Sequence, residues 1–391
     1  MNTTRKLTLA VFLASSLFSA LASAQMISGP TVQAAGEGLI KPDANPLNPA
    51  NRYLLVVPRD QRPPIAREAL VNVLVDIDAS GKVKSVNVRN GFHDSAVDRL
   101  VEKAVKGMSF APATQGGNPV AFQNLSLQVL LRQANPPGVS DAMRGDLVKL
   151  AETMQKQDYR GAERSIDTLL DRNAKRLFEM ALLNDQKASV LMSVDRNPEA
   201  LLLSRFATSS SPAVKPRAGA PAGAPAPAAA DAPAAEVTFP DSFLSPELYV
   251  DALRKRIALS LVNNQTGEAL QVYEMLKEAA SAAGKAEVAE TLAPQMQQIN
   301  DLLASDQQVG SAIHLIGGEW SFTMSPRRTF EVSGLSDKGR LDGIDIACGS
   351  NPVRRMPVPE GAWKIPDSWG QCDLIFRGKD GSTFNLFEYL N

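Results

Sequence analysis

Val71, Val73, Val75 and Ile77 occupy every second position of one run, with Asn72, Leu74 and Asp76 between them. A period of two places the four on one side of a strand and predicts a sheet with a buried face. Asp78-Ala79-Ser80-Gly81 predicts a tight turn into a second strand over Lys82–Arg89. The period then changes. Val97, Leu100, Val101, Ala104 and Val105 stand three and four apart and predict a helix, capped by Asp94 or Ser95 with Asp98 in its first turn. Gly107 fits the position just past the helix end, and Pro112 blocks a restart. Alternation returns in Leu125, Leu127, Val129 and Leu131, which predict a long last strand.

Helical spacing takes over after Asn135-Pro136-Pro137-Gly138. Asp141 caps a run carrying Met143, Leu147, Leu150 and Met154, and a second run carries Tyr159, Ala162, Ile166, Leu169 and Leu170. Further helices are predicted from about Ala174 to Met192 and from Pro198 to Phe206. Residues 208–240 are dominated by Ala, Pro and Gly, too poor in large apolar groups to offset the entropy of ordering, and predict an extended linker. Helices resume with Leu248, Leu253, Ile257 and Leu261, then with Ala269, Val272, Tyr273, Leu276 and Ala279. A third is expected from about Lys285 to Leu303. From about Ala312 the chain alternates again, with strands expected at Trp320–Met324, Phe330–Val332, Leu341–Ala347, Cys372–Phe376 and Phe384–Leu390.

The N-terminus has the layout of an export signal. Arg5 and Lys6 precede an apolar run from Leu7, and Ala22-Ser23-Ala24 is a small-x-small cleavage site before Gln25. The run is short for a membrane span, which needs about 20 residues. The alternative is an uncleaved anchor facing the periplasm. The expected organisation is therefore a signal peptide at 1–24, a loose leader at 25–51, a sheet-and-helix unit at 52–133 and helical hairpins at 138–207. The linker at 208–240, a second set of hairpins at 241–305 and a β domain at 310–391 complete it. The fold class is α+β and multi-domain: a small antiparallel sheet with one helix, helical hairpins, and a disulfide-stapled β domain.

The net charge of -1, from 41 basic and 42 acidic residues, argues against nucleic acid as a partner, because phosphate binding needs a basic excess. The chain has two cysteines, Cys348 and Cys372, and in an oxidising compartment such a pair is expected to bridge. Closing that loop contributes roughly 3 kcal/mol in the chain-entropy model. Trp363–Cys372 reads as a loop packed over a small β core under that staple, with an aromatic recognition surface as the alternative.

Chemistry is sparse. Asp76-x-Asp78-x-Ser80-Gly81 opens like a calcium loop, but Lys82 and Lys84 stand where ligands are needed and Asn87 where a bidentate Glu is needed, so a hairpin turn is expected. His93 and His314 are the only histidines and lie far apart, which disfavours zinc. There is no Gly-x-Ser-x-Gly, Gly-Lys-Ser or His-Glu-x-x-His motif. Arg327-Arg328 and Arg354-Arg355 read as solvated loop charges. No cofactor, metal or catalytic residue is expected, and the chain reads as a binding protein. An envelope enzyme is the alternative from another class.

The run Val75-Asp76-Ile77-Asp78, Gly81-Lys82-Val83 and Val86-Asn87-Val88, followed by Val97-Asp98, Phe110-Ala111-Pro112-Ala113 and Gly117-Asn118-Pro119-Val120, resembles the C-terminal domain of TonB proteins. The resemblance covers about a fifth of the chain. It implies a helix on a small antiparallel sheet, in a periplasmic unit that engages outer-membrane transporters by pairing with an extended peptide. Gly81, Phe110, Pro112, Gly117 and Pro119 are its structural motif. On this likeness the last strand is the receiving edge, carrying Val120, Phe122, Leu125, Leu127, Val129 and Leu131. The partner it implies is a protein or peptide in the periplasm, with outer-membrane transporters among the candidates, and a membrane only if the signal stays uncleaved. Arg62-Pro63-Pro64-Ile65 replaces the family's Tyr-Pro-type segment, and neither histidine lies near the N-terminal apolar run. These departures count against proton-driven force transmission, so peptide binding is expected, with a membrane-anchored TonB-type energy transducer as the alternative. Asp158-Tyr159-Arg160-Gly161-Ala162 and Thr266–Tyr273 resemble second helices of tetratricopeptide repeats, where a small residue lets two helices approach and an aromatic fills the gap.

Overall fold

The structure, a computed structural model, describes residues 33–34, 52–57, 68–88, 95–108, 110, 112–115, 118–133, 138–172, 174–211, 241–327, 329–336, 339–348 and 354–389. The export signal, Asp94, His93, Gly117, the Arg62–Ile65 segment and the Ala/Pro-rich run after Ser211 lie outside the described residues.

After a two-residue strand, β1 (Gln33–Ala34), the N-terminal unit contains β2 (Arg52–Val57), β3 (Ala69–Ile77) and β4 (Val83–Val88). Helix α1 (Ser95–Lys106) follows, then β5 (Ala113–Gln115), β6 (Asn118–Val120) and β7 (Phe122–Gln133). The main sheet runs β2-β7-β3-β4. Strand β7 is antiparallel to β3, whereas β2 is parallel to β7. The alternation in β3 is realised: Val71, Val73, Val75 and Ile77 are buried, and they share a core with Val97, Val101 and Val105 of α1. Gly107 does follow α1, but without the left-handed backbone expected of a C-terminal glycine. Its N–H closes the last turn onto Lys103 and Ala104.

The helical part comprises α2 (Asp141–Gln155), α3 (Tyr159–Arg172), α4 (Leu177–Met192) and α5 (Asn197–Ala207). Two-residue strands β8 (Ser210–Ser211) and β9 (Asp241–Ser242) come next. Helices α6 (Pro246–Val262), α7 (Thr266–Ala282), α8 (Glu287–Glu290) and α9 (Ala293–Ala304) follow. The helix expected at 285–303 is thus two helices, because Pro294 in the first turn of α9 cannot donate to a preceding turn. One turn recurs between the helices. Gln157, Asp195, Asn264 and Gly284 each adopt a left-handed backbone. The residue after each donates to a carbonyl five positions back: Asp158 to Thr153, Arg196 to Leu191, Gln265 to Ser260, and Lys285 to Ala280. This pattern satisfies the free carbonyls of the preceding helix and turns the chain back.

The two helical stretches, expected as separate units, share one core that includes Leu150, Ile166 and Leu183 from the first and Tyr249, Leu253 and Leu276 from the second. Ser210 and Ser211 pair antiparallel with Ser242 and Asp241. The Ala/Pro-rich run therefore interrupts a continuous stack of hairpins. Among the described residues no helix is long and apolar enough to cross a membrane.

The C-terminal unit has β10 (Val309–His314), β11 (Glu319–Thr323), β12 (Thr329–Ser333), β13 (Leu341–Cys348), β14 (Arg354–Met356), β15 (Trp363–Lys364), β16 (Cys372–Gly378) and β17 (Thr383–Tyr389). They form two sheets, β1-β15-β12-β17-β10 and β11-β16-β13-β14. Phe322 and Phe376 of one sheet meet Phe330, Phe384 and Leu386 of the other in a shared core. Cys348 and Cys372 stand opposite each other on β13 and β16 and are disulfide-bonded, with Cα atoms 4.0 Å apart. Trp363 and Trp369 pack against this core, in keeping with the stapled-loop reading. Arg327 overturns the reading of its pair as solvated. It is 2 % exposed, and its guanidinium donates to the carbonyls of Leu302, Leu303 and Ser305 at the end of α9. The negative end of the helix dipole lies there, so a fixed cation is favourable.

Candidate strand-pairing border

The hairpin between β3 and β4 is built by Asp78. One of its carboxylate oxygens accepts from the Ser80 hydroxyl at 2.7 Å and from the N–H groups of Ser80 and Lys82 at 2.8 and 3.0 Å. The Ser80 hydroxyl, followed by the Lys82 amide, holds this carboxyl below the ordinary carboxylate value. Gly81 then turns with φ +85°, and the Phe110 N–H donates to its carbonyl at 2.8 Å. A Cβ on Gly81 would lie 1.9 Å from the Phe110 oxygen and 3.5 Å from Pro112. Gly81, Phe110 and Pro112 are therefore one structural cluster, in which the exit from α1 closes onto the turn. Pro119 is exposed on β6, opposite Thr114 of β5.

The residues expected along the receiving edge all fall on β6 and β7, but their side chains face inward. Phe122, Leu125, Leu127, Val129 and Leu131 are buried in the core with α1, and Val120 is half-buried against it. Those side chains are not on offer to another chain, so a visiting strand would have to use the β7 backbone. That backbone is also not an open border throughout. Arg52–Val57 pairs with Gln128–Gln133, so β7 lies inside the sheet there and the expected vacancy beside Leu125–Leu131 is corrected. From Phe122 to Leu127 the only strand paired with β7 among the described residues is β3. Opposite that stretch the β3 register slips between Val75 and Ile77, and such a slip raises local twist.

Arg52-Tyr53-Leu54-Leu55-Val56-Val57 was missed as a strand by sequence reasoning. Its signal was an apolar, partly β-branched run ending at Pro58.

Glu68 was missed as well. It is 5 % exposed and sits just before β3, where its carboxylate accepts from the Leu177 N–H at 2.8 Å. Its own N–H donates to the Lys175 carbonyl at 2.7 Å. Glu68 thus caps α4 from the neighbouring unit. Glu179 completes the joint by accepting from the N–H groups of Ser140, Lys175 and Arg176. Burial pushes the Glu179 carboxyl up, but those donors outweigh it and hold it below the usual value.

The most heavily charged buried cluster joins the helices to the β domain. Glu268 of α7 is fully buried and pairs with Arg205 of α5 and Arg256 of α6. Arg205 also donates to the Ser321 carbonyl at 2.9 Å and lies over the Trp320 ring. Burial pushes Glu268 up, but the two guanidinium groups prevail and hold it at about 2. A Cβ on Gly267 would lie 2.4 Å from the Thr323 carbonyl oxygen. Gly267 therefore serves the approach of α7 to β11, rather than the helix–helix crossing implied by the repeat resemblance. Gly161 likewise makes room for the Asp158 carboxylate that caps α3. These charges lock packed elements together.

Residues 65–128 match the family model described as Gram-negative bacterial TonB protein C-terminal. No curated protein matches the chain.

Proposed function

We propose, from the TonB C-terminal domain carried at residues 65–128, that this protein works in the envelope of a Gram-negative bacterium by binding a peptide or protein partner through strand addition. The periplasm is the compartment in which that domain type and the Cys348–Cys372 bridge are both at home. Outer-membrane transporters are the leading class of partner. A domain of this type is an interaction module, and the reading assigns no catalysis to the chain.

The observation that carries the proposal is that the β7 border already accommodates an extended segment, Arg52–Val57. Main-chain ladders supply affinity in strand addition without needing particular side chains on the receiving strand. This fits a β7 whose Phe122, Leu125, Leu127, Val129 and Leu131 side chains are committed to the core.

The test places a photo-crosslinking residue at position 126 of β7 and, as a control, at exposed position 278 of α7 in the full chain expressed in its host. Crosslinks to an envelope protein are expected at 126 and not at 278, and Leu127→Pro should abolish them in a folded protein. Unchanged crosslinking in Leu127→Pro, or crosslinks equal at both positions, would overturn the reading.

A further inference from the structure

The strand already seated on β7 belongs to the chain itself, and it has the features of a removable occupant. We propose that Arg52–Val57 is a resident strand that holds the receiving border shut, and that an incoming peptide running in the same direction displaces it. This rests on the strand-addition reading above.

Geometry carries the proposal. Among the described residues strand β2 sits at the edge of the sheet and pairs with β7 alone, through a parallel ladder of six residues. Parallel ladders are slightly weaker per residue than antiparallel ones, and an edge strand has one neighbour to lose. By contrast β3 pairs on both sides, with β4 and β7. Removing β2 would thus leave β7, β3 and β4 still paired in a three-stranded sheet beside α1. Among the described residues, those buried in the core they share come from residues 69–131. Arg52–Val57 also lies outside the residues 65–128 that match the family model.

The connection has length to spare. Val57 stands opposite Gln133, and Ala69 stands opposite Leu131, so both ends of the crossing segment are at the same end of β7. Stepping over one strand needs two interstrand spacings, about 10 Å. Residues 58–68 have an extended reach of roughly 36 Å. Strand β2 can therefore leave without pulling on β3.

A foothold exists for the exchange. Strand β2 covers Gln128–Gln133, whereas Phe122–Leu127 has β3 as its only paired strand among the described residues. A visiting peptide can first pair along Phe122–Leu127 and then advance toward Gln133 as β2 peels away. Because a tethered strand competes at an effective concentration in the millimolar range, the border's apparent affinity falls with the fraction of time it stands open.

The experiment measures fluorescence anisotropy of a labelled synthetic peptide with the sequence of residues 51–58, titrated with three forms of the full chain. One is the unaltered protein. The second carries Leu54→Pro and Leu55→Pro. Consecutive N–H groups of a strand point to opposite sides, so one of the two prolines must remove a donor facing β7. The third carries Leu54→Cys and Leu130→Cys, positions that stand opposite each other, to lock the strand in place by oxidation. The released form should bind at least tenfold more tightly than the unaltered protein, and the locked form should not bind. A peptide of reversed sequence should bind none of them. Equal affinity in all three forms would overturn the resident-strand proposal while leaving strand addition standing. Absence of binding to the released form, with crosslinking at position 126 retained, would also overturn it alone. Loss of both signals would overturn it together with the reading it rests on.

Discussion

The Phe110 N–H donates to the Gly81 carbonyl at 2.8 Å, while the Phe110 carbonyl oxygen lies 1.9 Å from where a Gly81 Cβ would be. Phe110 thus donates a hydrogen bond to Gly81 and forbids a side chain there. Gly81→Ala meets a backbone atom that cannot rotate aside and adds the strain of φ +85° for a residue with Cβ. It should destabilise the N-terminal unit by about 3 kcal/mol. Hydrogen exchange is the measurement: amides of β3 and β7 should lose protection while those of α6 and β16 keep theirs.

The cap that Glu68 places on α4 should be worth about 1 kcal/mol, the usual cost of removing a capping side chain. In Glu68→Ala the Leu177 amide should exchange faster, and limited proteolysis should cut sooner between the N-terminal unit and the hairpins. Unaltered exchange at Leu177 would show that this hydrogen bond does not join the two units in solution.

Two buried carboxylates give opposite dependences on pH. Glu268 is held at about 2, below its ordinary 4.5, by the charges of Arg205 and Arg256 acting against burial. Its stabilising contribution is present above pH 4.5 and is lost as pH falls toward 2. Glu388 is 1 % exposed, and burial pushes it up to about 7. Its contribution is complete below pH 4.5 and is lost as pH rises through 7. The three tryptophans all lie in the C-terminal unit, so their fluorescence reports its unfolding. That unit should be less stable in urea at pH 8 than at pH 4.5 by about 3 kcal/mol. Glu388→Gln should flatten the difference. Glu268→Gln should instead lower stability across neutral pH by about 3–5 kcal/mol, because it leaves two guanidinium groups buried without their counter-charge.

Replacing the bridge by Cys348→Ser with Cys372→Ser should cost about 3 kcal/mol, since it reopens a loop with a sequence separation of 24. The urea midpoint read by tryptophan fluorescence should fall accordingly. The N-terminal unit, which has its own core, should keep its hydrogen-exchange protection.

What was legible in the sequence was what local periodicity encodes. The alternation of Val71–Ile77 and of Leu125–Leu131 marked two strands with one buried face, and Val97–Val105 marked the helix that covers it. The same alternation led to a wrong expectation about the border. It reports which side of a strand is buried, but not which strands lie beside it. Pairing of Arg52–Val57 with Gln128–Gln133 joins positions far apart along the chain, and nothing within either segment announces the other. Arg327 escaped for a similar reason. Beside Arg328 it has the look of a surface charge, and its acceptors at Leu302, Leu303 and Ser305 come from a helix end that only the folded chain brings near. The Ala/Pro-rich run was recognisable by composition, but its ends meeting at Ser210–Ser211 and Asp241–Ser242 was not.

That meeting has a practical meaning. Where a chain departs and re-enters through adjacent residues, the length of what lies between is decoupled from the geometry on either side. Ser211 and Asp241 are thus a natural splice point. A fluorescent reporter or an affinity tag could be housed there without shifting the register of the stacked helices.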